Sequence, residues 1–451
     1  MNWLLKRFEA YSGKTFICSE SDHKTYGDLL KQVQDYKDTL VDHAVQRNSV
    51  VAIVGDYCFE TIALFFALAE HKCIVVPITS TADNEVKYRL EEGKVDHIIT
   101  LRPTEVAFAQ SSRSNESSNN KYVLKLTQEN KSGLILFSSG SSGKPKAMIH
   151  DLETLINSFE DRKGKNLNFL VFLMFDHIGG LNTLLNSLAM GVAITIPKER
   201  DPEHVCFLIE KYKVNVLPAS PTFLNLLLLS QAHTKFDLSS LKLITYGTEP
   251  MPETVLLKVK EALPFVKLLQ TFGTSETGIA KISSKSSTSN LIRFDDPDYE
   301  FKIVNQELWL RSKTQISGYL NASNQNFTED GWFMTGDIVE EYEDGYLRII
   351  GRNSDLINVG GLKVLPSEVE SILIQIPLIA DCMVFSESNP ITGQIVVAQI
   401  VTKSEISSKE LKKEIHRFCK NRLDQYKIPA KIKIVDEANY SNRYKKIRRW
   451  D

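Results

Sequence analysis

The chain has 451 residues, 42% of them apolar and 24% charged, with a formal net charge of −2; that length exceeds one simple core and implies two or three domains of ordinary soluble composition. The near-neutral balance gives no support for a nucleic-acid partner, which would need a basic face. Six cysteines, at 18, 58, 73, 206, 382 and 419, contain no CxxC pair, which excludes a standard zinc ligand pair and reads as buried free thiols in a reducing compartment.

The opening segment, Met1 to Phe8, places its charges after a short apolar stretch, the reverse of a secretory signal. No apolar run, Ile62 to Ala69 included, reaches the ~18 residues of a membrane span. A cytoplasmic protein without a membrane span is expected. Val50 to Val54 predicts a continuous apolar strand, Thr61 to Ala69 the helix after it, and Cys73 to Ile78 the next strand. Ser111 to Asn120 is polar, rich in Ser and Asn and without periodicity, and reads as a surface loop. Leu167–Phe175, Ala193–Ile196, Val214–Leu217, Leu241–Tyr246 and Val266–Leu269 are further short apolar runs, most with helical patterns between them. Continuous β-branched runs separated by helices imply a parallel sheet buried on both faces. From about Phe301 short alternating segments such as 307–310 and 346–350, broken by turns, suggest antiparallel strands. After Gly351-Arg352 a small α+β unit runs to the end, with helices near 366–374 and 408–423.

The run Phe137-Ser138-Ser139-Gly140-Ser141-Ser142-Gly143-Lys144-Pro145-Lys146 follows the apolar Leu134-Ile135-Leu136. Small hydroxyl residues and glycines after a strand make a loop whose N–H groups can face an anion, and two lysines add positive charge. A Walker A loop is excluded: the first glycine would fall on Ser138, and Pro145 offers no hydroxyl after Gly143-Lys144. A flexible Gly/Ser linker is the plain alternative; the preceding strand and the following Lys-Pro-Lys argue for a polyphosphate site.

Phe272-Gly273-Thr274-Ser275-Glu276-Thr277 offers a ring that can stack on a base, a hydroxyl and a carboxylate that can help hold magnesium, or else a capped turn. Trp332 to Asp337 is expected to end a strand, and Asp337, beside Gly336, can accept both hydroxyls of a ribose through one carboxylate, or cap a turn. In 351–370, Gly360-Gly361 lets backbone approach a ligand, and Pro366 with Glu368 and Glu370 suits a helix N-terminus. Asn442 to Arg449 closes the chain with a basic cluster, an anion patch or a solvated end.

In order and spacing these segments resemble the adenylate-forming superfamily that contains acyl- and aryl-CoA synthetases, nonribosomal peptide adenylation domains and luciferases. The resemblance covers nearly the whole chain, with Thr25-Tyr26-Gly27-Asp28-Leu29 as the early Tyr-containing segment. It implies a large N-terminal α/β domain over 1–351, of mostly parallel sheets plus a small β-barrel-like subdomain. A hinge at 352–355 and a small mobile α+β domain at 356–451 would follow. It implies an ATP-dependent enzyme that joins a carboxylic acid to AMP with release of pyrophosphate, then passes the acyl group to a thiol. Ser138, Ser139, Gly140, Ser141, Ser142, Gly143, Lys144 and Lys146 would hold the β- and γ-phosphates. Adenine would lie between Gly247-Thr248-Glu249-Pro250 and Phe272-Gly273. Ser275 would contact the α-phosphate, Glu276 the magnesium, Asp337 the ribose and Arg352 the ribose or phosphate. Lys446 matches the catalytic lysine, and Gly361 the glycine that admits a pantetheine arm.

Departures from the family pattern are Ser354 at the hinge position, Lys445 where glycine usually precedes the lysine, and Phe272 and Ser275 in place of Tyr and Thr. With Lys445 adjacent, the choice of Lys446 rests on the following Ile-x-Arg spacing. Phe175-Asp176-His177-Ile178-Gly179-Gly180 aligns in two ways. His177 matches a gating histidine of acyl- and aryl-CoA synthetases; Asp176 matches an aspartate that pairs with a substrate amine. Gly180 favours the first. The acceptor thiol is CoA or the phosphopantetheine of a separate carrier protein, since no fused carrier is expected within the chain. An inactive nucleotide-binding homologue is the reading from another class.

Overall fold

The computed structural model describes residues 1–19, 23–102, 105–111, 120–138 and 144–436. Two seven-stranded sheets carry the first two-thirds of the chain. The first runs in the order Lys267–Gln270, Leu243–Tyr246, Val216–Ala219, Asn168–Leu170, Ala193–Thr195, Thr15–Cys18 and His23–Thr25, parallel except for its last pair. The second runs Gly318–Tyr319, Lys146–Asp151, Gly133–Ser138, Ile74–Ile78, Val50–Val54, His97–Arg102 and Glu105–Gln110, with a parallel centre and antiparallel edges. Helix Phe59–Glu70 explains how the sheets share a core: it is apolar on every side, and Thr61 to Ala69 are all buried. Such a helix is stable only between two apolar surfaces.

The expected strands form, with ends shifted by a residue or two. The exception is Leu167–Phe175, of which only Asn168–Leu170 is strand. The remainder must turn to start helix Ile178–Met190, and Gly180 makes the turn possible: a Cβ there would lie 2.0 Å from the Met174 carbonyl oxygen. Thr25 and Asp28 form a reciprocal capping box at helix Tyr26–Asp42, and the buried Tyr26 hydroxyl donates to the Val192 carbonyl at 2.8 Å. Residues 112–119 of the Ser/Asn-rich stretch lie outside the described residues.

Six short strands between Ile282 and Arg352 pair antiparallel into a third sheet. Beyond a short turn at Asn353–Asp355, five strands and helices Pro366–Leu373 and Ser408–Cys419 enclose a core of their own, from Ile357 to Ile434. Proline stands at the first turn of helix Pro366–Leu373, as its fixed φ favours. All six cysteines are free, five of them buried and Cys58 half-buried. Among the described residues no helix is long and apolar enough to cross a membrane.

His150, in strand Lys146–Asp151, is fully buried, and burial pushes its imidazole down to about 4. An unfolded histidine titrates near 6.5. Stability is therefore complete above pH 6.5 and drains as pH falls toward 4, by at most about 3 kcal/mol from this group. Urea unfolding at pH 7, 5.5 and 4.5 should show that decline, and His150→Phe should flatten it. An equal slope in the variant would assign the loss to other groups.

Candidate active site

Of the candidate residues, Ser138, Gly247 and Phe272 stand at the ends of parallel strands of the two large sheets. Strands Gly133–Ser138 and Lys146–Asp151 pair antiparallel, with Ser138 opposite Lys146. Between them, Ser139, Gly140, Ser141, Ser142 and Gly143 lie outside the described residues. Pro145 and Ala147 are clamped: the Pro145 carbonyl accepts from Asn321 Nδ2 at 3.1 Å and the Tyr88 hydroxyl at 3.2 Å, and Asn321 Oδ1 accepts from Ala147 N at 2.8 Å. Lys144 is exposed. Lys146 lies over the Tyr319 ring, 5.1 Å from its centroid.

Tyr319 joins this lysine to Glu276. Its hydroxyl donates to Glu276 Oε1 at 2.8 Å, and burial, then the neighbouring carboxylate, push the phenol far up. Ser275-Glu276-Thr277 is the turn of a small hairpin between Phe272–Thr274 and Gly278–Ala280. Three hydroxyls converge on the Thr277 carbonyl, from Tyr299 at 2.5 Å, Ser312 at 2.7 Å and Thr314 at 2.8 Å. Thr274 Oγ1 accepts from Thr277 N at 3.1 Å. Gly273 is obligatory, because a Cβ would stand 2.3 Å from the Gly278 carbonyl oxygen. This turn holds Glu276 rigidly, and Ser275 is half-buried beside it.

Gly247 follows strand Leu243–Tyr246 against Thr271, whose oxygens would both lie 2.6 Å from an added Cβ. The 247–249 segment and Phe272 are therefore neighbours. Thr248 has φ of +76°, a costly conformation for a β-branched residue. Glu249 Oε1 accepts from Thr222 N at 2.8 Å, at the start of helix Pro221–Leu229. The Phe272 ring meets Phe294 edge-on, with centroids 5.8 Å apart.

Asp337 lies within strand Phe333–Glu341 rather than at its end, directly opposite Arg352 in the neighbouring strand. Arg352 Nε donates to Asp337 Oδ1 at 2.8 Å. The carboxylate is 5% exposed and the guanidinium side chain 55%. Asp337 Oδ2 is buried and has no partner among the described residues. Burial pushes this carboxyl up, opposed by Arg352; Asp337 in turn raises Arg352, and Glu276 adds to that field. Glu276, Asp337 and Arg352 thus belong to one electrostatic neighbourhood.

His177 caps helix Ile178–Met190, its Nδ1 accepting from Gly179 N at 3.2 Å, which leaves the proton on Nε2. The preceding Asp176 is 2% exposed, and its Oδ2 accepts from Arg89 Nη1 at 2.5 Å. Arg89 Nη2 also donates to Glu85 Oε1 at 2.5 Å. Gly360 and Gly361 form the turn of hairpin Ile357–Val359/Leu362–Val364, with φ of +60° and +90°. Gly361 is exposed, with open space around its Cα. Lys445 and Lys446 lie outside the described residues.

Sequence reasoning missed Tyr88, Arg89, Tyr319 and Asn321. Each acts on a partner dozens of residues away or more, so no local pattern announces it. Among the described residues no cluster of three or more His, Cys, Asp or Glu forms a metal site.

Ligands of open α/β sheets bind beyond the carboxyl ends of the strands, where Ser138, Gly247 and Phe272 stand. Residues 4–320 match the family model "AMP-binding enzyme" and 368–442 match "AMP-binding enzyme C-terminal domain", so the chain belongs to the AMP-binding enzymes. It is similar to the 2-succinylbenzoate–CoA ligase of Listeria monocytogenes, at 26% identity over 97% of this chain and 95% of that one. The enzyme of the same name from Bacillus licheniformis is 27% identical, over 98% of each chain. Two solved structures share the fold. Anthranilate CoA ligase AuaEII with anthranoyl-AMP has a TM-score of 0.83 at 20% identity, covering 99% of this chain and 95% of that one. The o-succinylbenzoate CoA synthetase of Bacillus subtilis with its acyl-adenylate has 0.80 at 23%, covering 99% and 97%.

Asp337→Asn should separate stability from nucleotide binding. A carboxyl raised by burial favours the native state at low pH, near its unfolded value of about 4, and that contribution is lost as pH rises through the native value. At pH 7 the amide should melt at or above the wild-type temperature, the difference shrinking as pH falls. The Kd for ATP should rise by about tenfold or more, as expected for losing hydrogen bonds to a charged acceptor. Calorimetric titration with unchanged ATP affinity would remove Asp337 from the nucleotide site.

Proposed function

We propose that the protein is an AMP-forming acid–thiol ligase whose acceptor is CoA. The observation that carries the reading is Asp337, a buried carboxylate held by Arg352 through one oxygen and without a hydrogen-bond partner among the described residues at the other. One carboxylate accepts two donors readily, which suits the paired hydroxyls of a ribose. Support comes from relatives named as CoA ligases that align along nearly the whole chain.

Attack of a carboxylate on a polyphosphate sets anion against anion, so the site must neutralise charge that moves during the reaction. The loop from Ser138 to Lys146 would hold the β- and γ-phosphates, with Lys144 and Lys146 as its fixed charges. Phe272 and the Gly247–Glu249 segment would flank the adenine, and Ser275 would meet the α-phosphate. Glu276, with one oxygen engaged by Tyr319, fits a divalent cation through the other; bound Mg2+ would supply further charge neutralisation. Lys446 would bridge the attacking oxygen and the α-phosphate. A bond forms from the acid oxygen to the α-phosphorus, and the bond to the bridging oxygen breaks, its electron pair leaving with pyrophosphate. A thiolate then attacks the acyl carbon and AMP departs with the electron pair. Gly361 would admit the pantetheine arm for that step, with the small domain turning about Asn353–Asp355.

The acid would occupy a cavity of about 620 Å³. It is lined by Thr271 and Gly278 and by Ile178, Leu181, Leu185 and Met190 of helix Ile178–Met190. Its size and mixed apolar and polar lining suit an aryl acid, the class of which anthranilate and succinylbenzoate are examples. An amino acid is the poorer fit: Asp176 would have to abandon its buried pair with Arg89 to meet an amine.

Acid-dependent ATP–pyrophosphate exchange over a panel of aryl and alkyl acids, followed by addition of CoA, tests the proposal. Exchange with at least one acid, then a CoA thioester and AMP, is expected. Lys446→Ala should slow exchange about 100-fold or more and spare thioester formation from supplied acyl-AMP. If Lys445→Ala does this instead, the catalytic lysine is misplaced by one. No exchange with any acid overturns the ligase reading; exchange followed by transfer only to a carrier protein overturns CoA as acceptor.

A further inference from the structure

Glu276 is held at both its backbone and its side chain. Its carbonyl accepts from Ile316 N at 2.8 Å, and the next carbonyl, that of Thr277, accepts from the hydroxyls of Tyr299, Ser312 and Thr314. Its carboxylate has one hydrogen-bond donor among the described residues, the Tyr319 hydroxyl at Oε1. Ile316 and Tyr319 belong to one short segment, and that segment is itself anchored. Ser317 N donates to the Ile149 carbonyl and Leu320 N to the Ala147 carbonyl, each at 2.9 Å. Strand Gly318–Tyr319 pairs between them with Lys146–Asp151, and Tyr319 N donates to Asn324 Oδ1 at 3.0 Å. Tyr319 is 3% exposed, so Glu276 and not water satisfies its hydroxyl.

We propose that Tyr319 is a positioning residue that selects the cation accompanying ATP: by holding Glu276 Oε1 it leaves the carboxylate one oxygen to offer, which favours Mg2+ over larger divalent cations. The inference rests on the ligase reading and on Glu276 as its cation ligand. The donor set fits that use. Among the described residues no three or more His, Cys, Asp or Glu form an all-protein cage, so a cation beside Glu276 takes its other ligands from phosphate oxygens and water. Mg2+ is commonly bound in that way, through one or two carboxylates and substrate phosphates. Ca2+ takes more oxygens at longer range, often both oxygens of one carboxylate. For Glu276 to chelate through both oxygens, Oε1 would have to leave Tyr319. The phenol would then be a buried donor without a partner, which is costly. The turn cannot follow the carboxylate to keep the bond, because its backbone is fixed at Ile316 and Thr277. Selection thus lies in a hydrogen bond from outside the ligand set, as it does where outer partners orient metal ligands.

Calorimetric titration of the full chain with ATP in MgCl2, in CaCl2 and in EDTA tests this without turnover. The wild type should bind ATP about tenfold or more tightly with Mg2+ than with Ca2+. Tyr319→Phe keeps the ring on which Lys146 rests and removes only the O–H. It should collapse the preference toward one, while affinity in EDTA, where no cation is read, holds. Glu276→Gln should erase the preference as well, and adding Tyr319→Phe to it should change nothing further. A wild type without a preference overturns the inference, and so does a preference that persists in Glu276→Gln. So does a loss in Tyr319→Phe that is equal in all three buffers, which would mark a structural role. None of these results touches the ligase reading, which fails only if no acid supports ATP–pyrophosphate exchange.

Discussion

Arg89 is buried between two carboxylates, and much of the site depends on it. It sits on helix Asp83–Glu92, which follows a strand of one large sheet, while Asp176 follows a strand of the other. Their pair therefore ties the sheets together where the candidate residues collect. Taking such charges out of water costs several kcal/mol per ion, and breaking the pair from one side typically costs about 3–5 kcal/mol. The adjacent Tyr88 holds the Pro145 carbonyl, after the Ser/Gly run, and Arg89 itself lies over Phe137, before it, 5.7 Å from the ring centroid. Two neighbouring residues on one helix thus hold both flanks of that run relative to His177.

A second constraint lies in the small antiparallel sheet. Asp337 and Arg352 face each other because their strands pair in that register. Leu308 and Val339 pack in the core of this sheet. Thr335 donates to the Leu308 carbonyl at 2.6 Å, and Glu307 accepts from Gly336 N at 2.9 Å. Arg352 is also the last residue before the turn that leads into the C-terminal unit. That unit keeps its own core and rests helix Pro366–Leu373 on the larger part, Ser367 donating to the Ile350 carbonyl at 2.6 Å.

Local chemistry was legible in the sequence because it is written locally. Continuous apolar runs announced the parallel strands, and Pro366 announced its helix. The Ser138–Lys146 run with the 331–337 and 351–370 segments carried enough spacing to imply a family, and the family models agree. What remained hidden is what distant residues do to one another. Nothing near Asn321 says that it will hold Pro145 and Ala147, and nothing near Tyr319 points to Glu276. The apolar run Leu167–Phe175 read as one strand because hydrophobicity cannot tell a buried strand from a buried turn. The turn is dictated by Gly180 and by the demand of Arg89 for Asp176. Asp337 was expected to end its strand, whereas pairing with Leu347 to Gly351 carries the strand four residues further.

Thr248 has a consequence of a different kind. A β-branched residue at φ of +76° holds its loop in a conformation that glycine would adopt without strain. Selection of variants for heat resistance alone would favour relaxing this position. Selection for turnover would oppose it if the strained loop is what presents Gly247 and Glu249 to the base. Residue 248 is thus a place where durability and activity pull apart, and a thermostabilised form of this enzyme is best built with that threonine left alone.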